Sequence, residues 1–131
     1  ELKEGYLVNG LYAHMESGYE AMKKLLRVTP PPTAVFAFND MLAIGAIKCI
    51  EDNGFNVPHD ISVIGFDNIP IGEYIYPGLT TVSQPSLEIA EKAAKMLLEL
   101  IAKPTLPARK VLLPCELVVR GSTAENKEQV N

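Results

Sequence analysis

Apolar residues along the chain follow two alternating patterns. Short runs rich in β-branched and aromatic side chains, uncharged but for Glu116, occur at Tyr6–Tyr12, Ala34–Phe38, Ile61–Phe66 and Leu79–Val82, and again at Val111–Leu113 and Glu116–Val119. Runs of this length and content predict strands, and those without charge predict strands buried on both faces, as in a parallel sheet. Between them lie segments with helical spacing. Ser17-Gly18-Tyr19-Glu20 has the spacing of a capping box and predicts a helix to Val28, with Tyr19, Met22, Leu25 and Leu26 facing inward. A second helix is predicted over Asp40–Asn53, entered through Asn39 and stopped by Gly54. A third starts at Pro85-Ser86 and runs to Ala102, with apolar stripes through Leu87, Ala94 and Ile101 and through Ile89, Met96 and Leu100. Pro30-Pro31-Pro32, Pro104 and Pro107 break the chain between elements. The resulting order, β-α-β-α-β-β-α-β-β, predicts an α/β fold: a doubly wound, mainly parallel sheet with helices on both faces.

The second helix carries Met41, Leu42, Ala43, Ile44, Ala46, Ile47, Cys49 and Ile50, and its first turns are apolar nearly all round. One side of it must lie on the sheet, and the other needs a neighbouring element or a partner subunit. The last residues, Ala124 to Asn131, are polar and are expected to fray.

Composition narrows the functional classes. The 131 residues suffice for one domain, and 47% hydrophobic with 21% charged residues is a globular balance. Twelve Lys and Arg against sixteen Asp and Glu leave a net charge of −4, a poor basis for gripping phosphates, and Lys23-Lys24 and Arg109-Lys110 are isolated pairs. Cys49 and Cys115 stand in no CxxC and fit a reducing compartment, so a cytoplasmic location is expected. No run reaches membrane-spanning length, and no membrane partner is expected. The chain opens on Glu1 in mid-pattern, with no initiating Met, as a piece of a longer protein would.

Neither GxxxxGK[ST] nor GxGxxG occurs, no GxSxG elbow supplies a nucleophile, and His14 and His59 lie far apart with no second ligand at metal-binding spacing. No cofactor, metal or catalytic residue is therefore expected. The chemistry stands at two strand ends instead: Asn39-Asp40 after Phe38, and Asp67-Asn68 after Phe66. In an open α/β sheet ligands sit beyond the carboxyl ends of the strands. A carboxylate there can accept hydrogen bonds from two hydroxyls of a small polyol, although a helix cap at Asn39 and a local turn at Asp67 explain the same residues. Tyr12 and His14, at the end of the first strand, could flank the same opening and offer an aromatic face to a ring.

Pro32-Thr33-Ala34-Val35-Phe36-Ala37-Phe38-Asn39-Asp40 with Ala43-Ile44-Gly45-Ala46 resembles the effector-binding core of the LacI/GalR regulators. So do Val57-Pro58-His59-Asp60-Ile61-Ser62-Val63-Ile64-Gly65-Phe66-Asp67, Pro77-Gly78-Leu79-Thr80-Thr81-Val82 and Val119-Arg120-Gly121-Ser122-Thr123. The motifs occur in family order along nearly the whole chain. The resemblance implies a type I periplasmic-binding-protein-like core, of which residues 1–123 would be the C-terminal part and residues 84–113 would return to the N-terminal lobe. The DNA-binding headpiece and most of that lobe would be absent. It further implies a bacterial transcriptional repressor that binds a sugar, sugar phosphate or purine between its lobes and thereby changes operator affinity; it is not an enzyme. By motif, Asp67 matches the family's ligand-binding aspartate and Asn39 a frequent effector contact. Ala13 falls where several members place a ring-stacking aromatic, so Tyr12 or His14 would have to substitute. Ile44 and Ile47, with Tyr74, Ile75 and Tyr76, would pack in a homodimer interface, and operator DNA would be reached through the headpiece. The competing readings are a periplasmic-type sugar-binding protein serving transport on the same fold and a small doubly wound enzyme or phosphoacceptor domain using Asp67.

Overall fold

The computed structural model describes residues 5–9 and 12–125. Its elements are α1 (Met15–Leu25), β1 (Ala34–Phe36), α2 (Asp40–Asp52), β2 (Ser62–Phe66), α3 (Ile71–Tyr74), β3 (Thr80–Ser83), α4 (Ser86–Ala102) and β4 (Glu116–Val118). The sheet order is β1-β2-β3-β4. β1 and β3 run parallel to β2, with Val35 opposite Val63 and Gly65 opposite Thr81, and β4 closes the far edge antiparallel to β3. The mainly parallel α/β class expected from the alternation of patterns is the one observed.

Side chains on β2 alternate across the sheet. Val63 and Gly65 are buried beneath α2, while Ser62, Ile64 and Phe66 are half-buried on the other face. The core gathers Met22 and Leu25 of α1, Ala43, Ile47 and Ile50 of α2, and Ile61, Val63 and Leu79. Helices on both faces were expected, but among the described residues the face bearing Ala34 and Phe36 stays open, and Phe36 is 63% exposed. The physical reason is that α4, the remaining long helix, buries none of its residues.

Other boundaries differ as well. α1 begins three residues before the expected cap: His14 is its N-cap, and His14 Nδ1 accepts the Ser17 N–H at 3.4 Å. α1 ends at Leu25 because the last turn tightens, Arg27 N–H bonding to Lys24 O and Val28 N–H to Leu25 O, both at 3.1 Å. Gly54 follows the Asn53 C-cap at φ 82, the left-handed position foreseen for it. The expected strand Tyr6–Tyr12 is not formed at residues 6–9 or 12, and Gly10 and Leu11 lie outside the described residues, as do residues 126–131 of the expected frayed tail. Val111–Leu113 is irregular and lies on no partner strand. α3 is a single turn after Pro70, too short for periodicity to reveal.

The chain's end is stitched into the sheet. Ser122, fully buried, donates its hydroxyl to Val63 O at 2.6 Å and accepts the Thr80 N–H at 2.8 Å, bridging β2 and β3.

Candidate functional site: the carboxyl ends of β1, β2 and β3

Three parallel strands end on one edge of the sheet. β1 pairs Phe36 with Ile64 and Ala37 N–H still bonds to Ile64 O at 2.8 Å, so Asn39 and Asp67 each follow the carboxyl end of one of two neighbouring strands. Adjacent strands lie about 4.8 Å apart, so a small ligand can span both positions. β3 ends beside them at Ser83, and Gln84 follows.

Asp67 is the last residue of β2's hydrogen-bond ladder, its N–H bonding to Val82 O at 2.9 Å. There the backbone turns sharply: Asp67 has φ 113 and Asn68 φ 54. Asn tolerates the left-handed region, whereas an Asp at φ 113 is an outlier that the surroundings must hold. The Asp67 side chain is exposed, and Gln84 Nε2 donates to its Oδ1 at 2.6 Å. Its carboxylate therefore faces outward with a side-chain amide beside it. Asn68 is tied on all sides. Its N–H bonds to Thr81 Oγ1 at 3.3 Å, its Nδ2 to Ser83 Oγ at 3.2 Å, and its Oδ1 accepts Arg120 Nη2 at 2.9 Å. Arg120 also donates to Leu79 O at 2.8 Å.

The first-strand candidates gather around Asn39. Asn39 caps α2, its Oδ1 accepting the Leu42 N–H at 2.9 Å, and its Nδ2 donates to Ala13 O at 3.3 Å. The capping explanation of Asn39 thus holds, and one amide hydrogen is left for a ligand. Tyr12 and His14 stack on each other, centroids 5.5 Å apart and planes 12° apart. Tyr12, Ala13 and Phe38 line a cavity of about 570 Å³ at the free edge of β1, together with Leu7, Val8 and Ala37. That cavity is mostly apolar and does not include Asp67. The polar chemistry lies instead at the strand ends, where the structure gathers acceptors and donors. Thr81, Gln84 and Arg120 join this network unannounced by local pattern, and Asp40, placed at a strand end from sequence, has partners that its neighbours do not reveal, because they come from distant parts of the chain.

The expected interface residues separate. Ile44 borders a shallow apolar depression of about 420 Å³ with Met15, Tyr19 and Lys48. Tyr74 and Tyr76 are exposed, and Ile75 is half-buried against the core. Ile47 is only 4% exposed and packs in the core cluster, so Ile44 and not Ile47 supplies the accessible apolar surface on this side of α2. Beside the depression, desolvation and then the Asp52 carboxylate hold the Tyr19 phenol above its usual range. The hydrogen bond to Asp52 likewise raises the Lys48 ammonium. Among the described residues, no helix is long and apolar enough to cross a membrane.

Residues 3–123 match the family described as periplasmic binding protein-like domain. The probable HTH-type transcriptional repressor ExuR of Bacillus subtilis (strain 168) is 49% identical over 121 residues, which cover 92% of this chain and 36% of that protein. A LacI family transcriptional regulator from Enterococcus faecium, solved with bound ribose, superposes with a TM-score of 0.75 at 40% identity, over 87% of this chain and 42% of the other. The transcriptional regulator CelR, solved as a cellobiose complex, superposes with a TM-score of 0.86 at 31% identity, over 93% of this chain and 37% of the other. The chain spans about a third of the curated relative's length. With its parallel sheet, its polar strand ends and these likenesses, the chain belongs to the periplasmic binding protein-like domain family, and its relatives are LacI-type repressors.

Proposed function

We propose that this chain is the effector-sensing and dimerisation portion of a cytoplasmic bacterial transcriptional repressor. It binds a small sugar or related metabolite against the ends of β1, β2 and β3, and the bound state changes operator affinity. The observation that carries the reading is Asp67: an exposed carboxylate, at a strained backbone position, at the carboxyl end of the central strand. Asp67 accepts hydrogen bonds from two ligand hydroxyls, the Gln84 amide shares that carboxylate, and the free Asn39 amide hydrogen donates to the ligand's other edge. Tyr12, with His14 stacked behind it, and Ala13 border the opening. Hydrogen bonds to a charged group are worth roughly 1.5–3 kcal/mol each, so two would set affinity by roughly a hundredfold to ten-thousandfold.

Residues 84–113 cross to a second lobe that closes the other side of the cleft, and the DNA is read by a headpiece outside this chain. Ligand acts as a switch only through unequal affinity for the open and closed lobe arrangements. Paired headpieces require a homodimer, for which Ile44, Tyr74, Ile75 and Tyr76 supply an apolar surface. The two structural relatives that hold ribose and cellobiose support a sugar as the class of effector.

The test is calorimetry of the full-length protein against a sugar panel that includes D-ribose and cellobiose. Asp67→Ala should lower affinity for the binding sugar at least a hundredfold with little change in Tm. Equal affinities for wild type and variant would reject the assignment.

A further inference from the structure

Asp40 is the one charged side chain among the described residues that is fully buried, at 1% exposure. A carboxylate survives there only with partners. It opens α2, where the helix dipole favours negative charge, and Gly65 of β2 leaves space for it, since a Cβ on Gly65 would overlap Asp40 Oδ1. Its partners are not local. Oδ2 accepts the Ile69 N–H at 2.8 Å, and Oδ1 accepts the hydroxyl of Thr81, itself fully buried.

The direction of this chain is forced. A carboxylate has no hydrogen to give, so the Thr81 hydroxyl donates to Asp40 and keeps its lone pairs for the Asn68 N–H, which it accepts at 3.3 Å. One buried carboxylate thus takes up two consecutive N–H groups, Asn68 through Thr81 and Ile69 directly. These are the first N–H groups to leave the β2 ladder, and they follow the residue at φ 113. Hydrogen bonds to an ionised acceptor are roughly twice as strong as neutral ones, which suits them to holding an outlier backbone.

We propose that Asp40 is a positioning residue for the effector site: with Thr81 as its intermediary, it locks the Asp67–Asn68 turn and so aims the Asp67 carboxylate outward. This rests on the reading of Asp67 as the effector-binding group, but the lock itself is tested without any effector. Asp40→Asn keeps the shape but removes the charge: with its Oδ1 on the Ile69 N–H and its NH₂ on Thr81 Oγ1, charge-assisted bonds become neutral ones and the Thr81 hydroxyl hydrogen loses its acceptor. Thr81→Val removes the hydroxyl at nearly constant volume, Thr81→Ser restores it, and Ile47→Val is a core control away from the turn.

The experiment is hydrogen exchange by mass spectrometry on the full-length protein, following the peptide that carries Asn68 and Ile69. Asp40→Asn and Thr81→Val should accelerate exchange there at least tenfold, while Thr81→Ser and Ile47→Val stay within twofold of wild type. If Asp40→Asn does not fold, the Thr81 pair decides alone. Unchanged exchange in Thr81→Val, or equal acceleration in Ile47→Val, overturns the lock. Titration with D-ribose and cellobiose then separates the two claims. A loosened turn with a tenfold or greater loss of sugar affinity in Thr81→Val supports positioning, and a loosened turn with full affinity overturns it. Full affinity in Asp67→Ala would instead reject Asp67 as the effector contact, leaving the exchange result to stand for the turn alone.

Discussion

Cys49 and Cys115 are chemically alike and differ only in their surroundings. Cys49 is fully buried on α2, and desolvation, followed by the Glu20 carboxylate, pushes its thiol above the ordinary range; Cys115 is exposed. Since the thiolate is the nucleophile, iodoacetamide should label Cys115 and spare Cys49 until the protein unfolds, as peptide mass mapping would show. Labelling of Cys49 at native rates would mean that α2 opens readily. The same shift predicts a pH effect of definite sign. A group whose folded-state pKa is raised holds its proton more tightly when folded, so its stabilisation is present below the unfolded value and lost as pH rises through the folded one. Cys49, Tyr19 and Lys48 all shift upward. Urea unfolding should therefore give constant stability near neutral pH and a decline above about pH 9; rising stability there would contradict the burial of Cys49. Asp67 stood out in the sequence as a candidate because a carboxylate closing an uncharged strand is conspicuous, and the structure places it, exposed, at that strand end. Asp40 read as an ordinary helix start, because its partners Ile69 and Thr81 lie 29 and 41 residues away. Arg120 meets Asn68 across 52 residues, and no local pattern reports such a meeting. The strain at Asp67, about 1–3 kcal/mol, is of the size that these bonds can offset.

At the scale of elements, the helix stripes were readable, but the way α1 meets α2 was not. The two helices touch backbone to backbone at two glycines. A Cβ on Gly18 would overlap the Leu42 carbonyl, and one on Gly45 the Met15 carbonyl. Each glycine looks unremarkable in sequence, and only the crossing explains the pair. This makes the sign of one substitution diagnostic. In a helix free of neighbours, Gly18→Ala would stabilise by about 1 kcal/mol through propensity. At this crossing the methyl meets backbone, which cannot rotate away, and overpacking of this kind costs about 1–3 kcal/mol or more. The crossing should win, so Gly18→Ala should lower Tm by several degrees, about 4–8 °C per kcal/mol for a domain near this size. A raised Tm would show that α1 and α2 separate without penalty. Strand reading succeeded where a partner strand exists, as for β2 between β1 and β3, and failed at Val111–Leu113, where none does. Alternation of side chains identifies what could be a strand; pairing decides whether it is one.

At the scale of the whole molecule, the segment presents more apolar surface than a solvated domain tolerates. α4 is amphipathic yet buries nothing: Leu97 and Ile101, one turn apart on one face, are 59% and 67% exposed, with Leu98 beside them and Leu87 exposed at the helix start. Large contiguous apolar patches mark surfaces that bind something. In the full-length protein we assign that role to the second lobe, but residues 1–131 alone must find another cover. Four such side chains can contribute roughly 1.5–3 kcal/mol each on burial, which is comparable with the roughly 4–15 kcal/mol that association costs. Self-association that depends on concentration is therefore the expected behaviour of the isolated segment. Sedimentation velocity over a concentration series should show dimers or larger species, and Leu97→Lys with Ile101→Lys should return them to monomer. The alternative contact is the Ile44 depression with Tyr74 and Tyr76, where a homodimer of the full-length protein is proposed to form. If Ile44→Lys dissolves the assembly and the α4 pair does not, α2 supplies the contact even without the rest of the protein. If the α4 pair alone dissolves it, the exposed helix drives association and the α2 surface is too weak to dimerise unaided. A monomer at every concentration would show that α4 folds back onto its own sheet in solution, covering the Phe36 face left open here.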